Sequence, residues 1–469
     1  MAFGLFKKKH TADIIYMNGH VYTQDPAFPW ASAVACKDGK VLAVGDFEGM
    51  DEIVSSDTQV IDLKEQYLFP GFMEVHNTDI LKAFEDMYLE IDPVWDLDTV
   101  LEEVAAYAEN TDRDIIFAYG YNENILADYE EADDVQGLLD EITQDKPVLL
   151  LGTSGVHCWF NSLAMDMVSE SAEEDGMQYI SADYVLSVLS PLDFEEVEAA
   201  VIASSGALCD RGITSIFPLN TPDYFQHLYR DCLVALIGES IPVKQRLFSS
   251  LYINRPIAPE LILHKLTAGK TACIELDNLI TYDFLKLEVC DDENLAFFSE
   301  DALKTICQAA CDKGYNIHLD ALDQTSIEKA RAAFVFLRSK GCKHNTLVLA
   351  ADNAVSNSEV NSTEEGFLTT WSTDCLNQSV YSHVGSVSEA VDMLTVGAAE
   401  LLGRSREYGS IEQGKRADFT VFSENPFEKS VQYFSSMHAS MTIVDSQVVY
   451  DLETACDNEM YDLLVTMRL

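Results

Sequence analysis

An α/β fold, a TIM-type (β/α) barrel with a small β-sandwich built from both chain ends, is the architecture this sequence predicts, and three observations predict it. Short β-branched and aromatic runs punctuated by Asn-Gly and Asp-Gly dipeptides open the chain. The same style of short strand returns near its end. Between the two, apolar strand-like runs alternate with amphipathic helical stretches, the pattern of a parallel sheet covered by crossover helices. With 469 residues, 48% of them hydrophobic, the chain can bury one large core and an accessory domain.

Taken in order, residues 1–12 read as a tail. The apolar Phe3, Leu5 and Phe6 precede Lys7, Lys8 and Lys9, the reverse of a secretory leader, so no export is expected. Ile14–Met17 and Val21–Thr23 flank Asn18-Gly19, and Ala33–Ala35 and Val41–Val44 flank Asp38-Gly39, which predicts two successive hairpins. A lone hairpin is marginal in water, so residues 13–66 are expected to join residues 405–469 in one small β-domain. Residues 67–404 would then form the barrel, with strands at Gly212–Phe217, Phe284–Val289, Tyr315–Leu319 and Thr346–Ala350. Two further strand-like runs, Ile115–Tyr119 and Pro147–Leu151, look like part of an inserted segment around 109–165. Helices are expected at 299–313, opened by Ser299, and at 386–402, opened by Ser386 or Ser388.

Composition narrows the partners. Thirty Lys and Arg stand against 79 Asp and Glu, a formal charge of −49, which repels nucleic-acid phosphates and anionic membrane surfaces. No nucleic-acid partner is expected, and no apolar run approaches the roughly 20 residues that span a bilayer. The 11 cysteines are odd in number and never spaced Cys-x-x-Cys, so neither a disulfide framework nor a zinc knuckle is indicated and a reducing cytoplasm is expected. Cys307 and Cys311, one helical turn apart, read as a packed helix face.

The densest chemical signal is Phe69-Pro70-Gly71-Phe72-Met73-Glu74-Val75-His76-Asn77-Thr78-Asp79, a strand running into a loop, where residues two apart share a face. It resembles the Pro-Gly-Phe-x-Asp-x-His-x-His element of the amidohydrolase superfamily. Gly409-Ser410-Ile411-Glu412-Gln413-Gly414-Lys415-Arg416-Ala417-Asp418-Phe419 resembles the return of that superfamily to its β-sandwich. His157-Cys158-Trp159-Phe160-Asn161-Ser162 is similar to a segment of amidohydrolase family 3, the formamide-deformylase-like branch. Gly212-Ile213-Thr214-Ser215 and Thr395-Val396-Gly397-Ala398-Ala399 match as well, in the expected order.

The resemblance implies a hydrolase of non-peptide C–N bonds, in amides or cyclic amides, that uses a divalent metal, with zinc the first candidate. It implies metal ligation by His76 and His318, a catalytic aspartate at Asp374, and substrate contacts from His157, Asn161, Glu74 and Lys286. It also implies a small-molecule substrate or ligand and permits a homo-oligomer.

The residues depart from the family pattern in ways that alter these expectations. Thr78 stands where the second histidine of the metal pair belongs, and a neutral hydroxyl is a poor zinc ligand. Thr346–Ala350 ends without a further histidine, and Leu319-Asp320-Ala321 replaces a Gly-Asp loop. From Asp352 to Asp374 the chain is too short for the two strands and helix expected there. A mononuclear site at most is therefore expected, and the alternative is an inactive relative that binds a small molecule or a protein partner. Metal-free chemistry from Glu74, His76 and Asp79 is the third reading. Lys286 reads as a buried, salt-bridged lysine, paired with Glu74 or Asp374, in preference to a carbamate bridging two metals. His157 and Asn161 carry two readings, a substrate contact or a turn holding the inserted segment together.

Overall fold

A computed structural model describes residues 11–75, 79–127, 132–153, 155, 157–174, 182–218, 221–238, 244–253, 259–272, 279–290, 298–351, 361–362, 365–370, 381 and 384–455. Three sheets organise them. Strands from both chain ends form one continuous eight-stranded sheet. In it Met441–Val444 pairs with Phe419–Phe422, which pairs with Tyr67–Pro70, and the sheet continues into Ile14–Tyr22, Trp30–Lys37 and Lys40–Gly45. Among the described residues these strands hydrogen-bond as one sheet, with Gln59–Asp62 also pairing Ile14–Tyr22. Tyr16, Val34, Leu68, Phe419 and Ile443 fill one of its clusters, and Ile15, Ala33, Ala35 and Met50 another.

The second predicted hairpin forms, its turn taking positive φ at Asp38 (50°) and Gly39 (71°) as a two-residue turn requires. The first does not. Ile14–Tyr22 is one strand, and Asn18-Gly19 sits where its register against Trp30–Lys37 shifts between Met17 and Val21. A bulge, and not a turn, is what the Asn-Gly dipeptide supplies here.

The parallel sheet runs in the order Leu368–Thr370, Leu347–Ala350, Asn316–Ala321, Ile280–Val289, Arg246–Ile253, Ile213–Ile216, Phe72–Glu74, with the short Asn361–Ser362 antiparallel on its edge. Leu347–Ala350 pairs directly with Leu368–Thr370, so seven parallel strands are described. Outside the curve pack Phe194–Asp210, Asp223–Gly238, Pro259–Ala272, Glu300–Asp312 and Gln324–Ser339. Inside it Met73, Val75, Phe217, Phe248, Phe284 and Val348 meet Ala398, Leu401 and Leu402. Ser299 and Ser386 cap their helices as read, each hydroxyl accepting from a backbone N–H in the first turn. Ile116–Tyr121, Val148–Gly152 and Cys158–Phe160, from the segment read as inserted, join Leu89–Glu90, which precedes that segment, in a separate four-stranded sheet.

Cys307 and Cys311 are buried on the packed face of Glu300–Asp312. Among the described residues, no helix is long and apolar enough to cross a membrane.

Candidate functional site

Register alone builds the interior of the parallel sheet. Tyr252 pairs with Lys286, Lys286 with His318, and His318 with Val348, forming one rung across four strands. Two residues nearer the strand ends, Glu288, Asp320, Ala350 and Thr370 form the next. Residues at i and i+2 share a strand face, so both rungs line the same inner surface. In Ile280–Val289 that phase depends on a register shift at Asp283, which puts Phe284, Lys286 and Glu288 inside while Tyr282 packs among the outer helices.

Lys286 and Asp320 form the centre of this surface. Nζ lies 2.7 Å from Oδ2, with both side chains 0% exposed. The ring of Tyr252 approaches the ammonium, 5.9 Å from Nζ to its centroid, and the Tyr252 hydroxyl donates to Glu288. His318 is buried beside Lys286. Thr370 is wholly buried, and its hydroxyl has no hydrogen-bond partner among the described residues. The inserted sheet reaches this region: burial, then Tyr88, Glu123, Glu288 and Glu90, push the Tyr119 phenol up.

Glu74 does not join them. Met73 and Val75, on either side of it, face the interior cluster, so Glu74 is directed to the other face, where Arg211 Nη2 lies 3.4 Å from its carboxylate. Burial and Glu74 raise the Tyr381 phenol on that same side. The expected Lys286–Glu74 pair is therefore corrected: strand alternation carries Glu74 outward, and Asp320 is the partner of Lys286. His76, Thr78, Asp352 and Asp374 lie outside the described residues.

Asn161 is also reassigned. It is 0% exposed; its Oδ1 accepts from Val148 N at 3.0 Å and Ala164 N at 3.1 Å, and its Nδ2 donates to Lys146 O at 3.0 Å and Thr143 O at 3.3 Å. Every hydrogen-bonding valence of the amide is engaged inside the inserted segment, which is the second of its two readings. His157 is exposed, with its carbonyl accepting from Gly152 N.

Three residues of the site, Asp320, Glu288 and Tyr252, escaped the sequence reading. The signal was present, since Asp320 follows His318 by two positions and Glu288 follows Lys286 by two, the spacing of a shared strand face.

The donor chemistry of the described residues does not fit a divalent metal. Asp320 is engaged by an ammonium, Glu74 faces Arg211, and Ala350 offers no donor. Among the described residues, no group of three or more His, Cys, Asp or Glu is placed to hold a metal ion.

Residues 59–346 and 380–450 match a family described as the amidohydrolase family. Over 93% of its length the chain is 20% identical to YtcJ of Bacillus subtilis (strain 168), a protein named as an amidohydrolase, and the match takes in 99% of that protein. It is 26% identical over 37% of its length to the exoenzymes regulatory protein AepA of Pectobacterium carotovorum subsp. carotovorum. It is likewise 26% identical over 34% of its length to the N-substituted formamide deformylase of Arthrobacter pascens. These two matches span only 38% and 30% of the relatives concerned. Among solved structures, an uncharacterized metal-dependent hydrolase from Pyrococcus horikoshii is similar with a TM-score of 0.54 and 15% identity, over 90% of this chain and 99% of that one. An adenosine deaminase from Xanthomonas campestris with bound zinc gives a TM-score of 0.51 and 12% identity, over 98% of each chain. At such identities the likeness is one of fold.

Proposed function

The chain belongs to the amidohydrolase family, in its family 3 branch, and on that premise we propose that it hydrolyses a non-peptide C–N bond, in an amide or cyclic amide, at the ends of its parallel strands. The observation that carries this reading is the polar group on the inner surface, the buried Lys286, His318, Asp320 and Tyr252 with the half-buried Glu288. In a barrel, reacting groups gather at the strand ends. The similarity to an N-substituted formamide deformylase supports an amide as the bond attacked.

In this reading the Lys286 ammonium, held by Asp320, is a fixed positive charge beside which negative charge on a carbonyl oxygen is stabilised. His318, its neighbour across the strands, moves the proton between water and the leaving nitrogen. Tyr252 and Glu288, linked to each other, orient the substrate from the outer rung. His76 and Asp374 are proposed as further groups at the same mouth. Lys286 is engaged by Asp320 in an ion pair and not placed as a bridge between two metals, so one metal at most belongs to this proposal.

A second reading, a relative that binds a small molecule or a partner without turnover, is favoured by one observation. Asp320 is engaged by Lys286 and Glu74 faces outward, so neither is placed to activate water.

Incubating the full chain with a panel of N-formyl amines and cyclic amides, followed by proton NMR, separates the two. Release of the amine, lost in His318→Asn, is the expected result. Saturable binding without product supports the second reading, and neither binding nor product refutes both.

A further inference from the structure

We infer that the Lys286 ammonium, paired with Asp320, stands in place of a divalent cation at this strand-end centre, which therefore recruits no metal. The inference rests on reading those strand ends as the reaction site, but its test needs no turnover and therefore fails or succeeds independently of the amide panel.

A buried carboxylate beside an imidazole is a donor set that attracts a divalent ion. Here Asp320 Oδ2 already has an ammonium 2.7 Å away, and neither side chain reaches solvent. A metal entering between His318 and Asp320 would meet that positive charge in a low-dielectric interior, where like charges repel strongly. To admit it, the site must either deprotonate Lys286 or draw Asp320 away, and each leaves a buried group without the counter-charge it folded against.

The surroundings of the lysine are those of a resident cation. Tyr252 presents its ring to the ammonium, and Glu288, bonded to the Tyr252 hydroxyl, adds negative charge on the next rung. On the next two strands, among the described residues, stand Ala350, which has no donor, and Thr370, which has only a neutral hydroxyl. Among the described residues, Asp320 therefore already holds a cation, and the chain provides that cation itself.

The test is a cobalt(II) titration of the full chain, read by its d–d absorption and by melting temperature. The unaltered protein is expected to show no stoichiometric absorbing site and no rise in melting temperature. Lys286→Met removes the ammonium from Asp320; it is expected to melt several degrees lower and to regain stability as cobalt binds at His318 and Asp320. Should Lys286→Met not accumulate folded, Asp320→Asn and the unaltered protein decide the matter. Asp320→Asn strands the ammonium and is expected to melt lower while taking up no cobalt. A stoichiometric cobalt site that stabilises the unaltered protein overturns the inference, and so does a Lys286→Met that melts with the parent.

Discussion

Asn161 shows how one buried amide is assigned by counting its partners. Its oxygen caps the helix Ser162–Glu174 through Ala164 N and also accepts from Val148 N, while its nitrogen ties down two backbone carbonyls. Replacing it with Ala removes a cap and strands buried backbone groups, so Asn161→Ala is expected to cost about 2–4 kcal/mol. His157→Ala, at an exposed position, is expected to melt with the parent. Thermal unfolding of both variants checks the assignment; a neutral Asn161→Ala would return that residue to the substrate. The motif around His157 and Asn161 was legible in the sequence, but its role was not. Residue type says only that an amide is present, and its partners, Val148 N, Lys146 O and Thr143 O, come from a strand and loop that the fold brings beside it.

At the scale of elements, period and punctuation carried most of the sequence reading. Strands at Ile213–Ile216, Ile280–Val289, Asn316–Ala321 and Leu347–Ala350 fall within or beside the expected runs, and both predicted helix caps form. Asn18-Gly19 misled because a turn dipeptide also suits a bulge: Asn18 takes φ 57°, yet the chain continues along the same strand. The approach of the parallel sheet to the terminal sheet depends on Gly212, at φ +78°, where an added Cβ would lie 2.1 Å from Thr420 Cγ2. Thr420 Oγ1 donates to the Gly212 carbonyl at 2.6 Å, so the two strands are held too close for a side chain. Gly212→Ala is expected to destabilise by about 2–4 kcal/mol, from strained backbone and overpacking together. A melting temperature equal to that of the parent would show that Thr420 yields.

For the molecule as a whole, the ends of the chain meet in one sheet, and a buried charge cluster locks that sheet to the strands between. Arg246, 1% exposed, is bonded to Asp418 at 2.7 and 3.0 Å and reaches Asp445 as well, joining the start of one parallel strand to the far end of the sequence. The family was readable, and the fold in its coarser outline of a parallel sheet under crossover helices, because the motifs at both ends and the strand-helix alternation between them stand in the sequence. The centre was less readable, since Lys286 pairs with Asp320 through neighbouring strands and no local pattern names that partner. On the inference drawn above, this pair stands at the strand ends in place of a metal. X-ray anomalous diffraction at the zinc edge, from crystals of the full chain grown with zinc, tests it most directly. The expected map has no anomalous peak within bonding distance of His318 and Asp320 and keeps Lys286 Nζ on Asp320. A zinc peak bonded to both residues, with the lysine displaced, would contradict it.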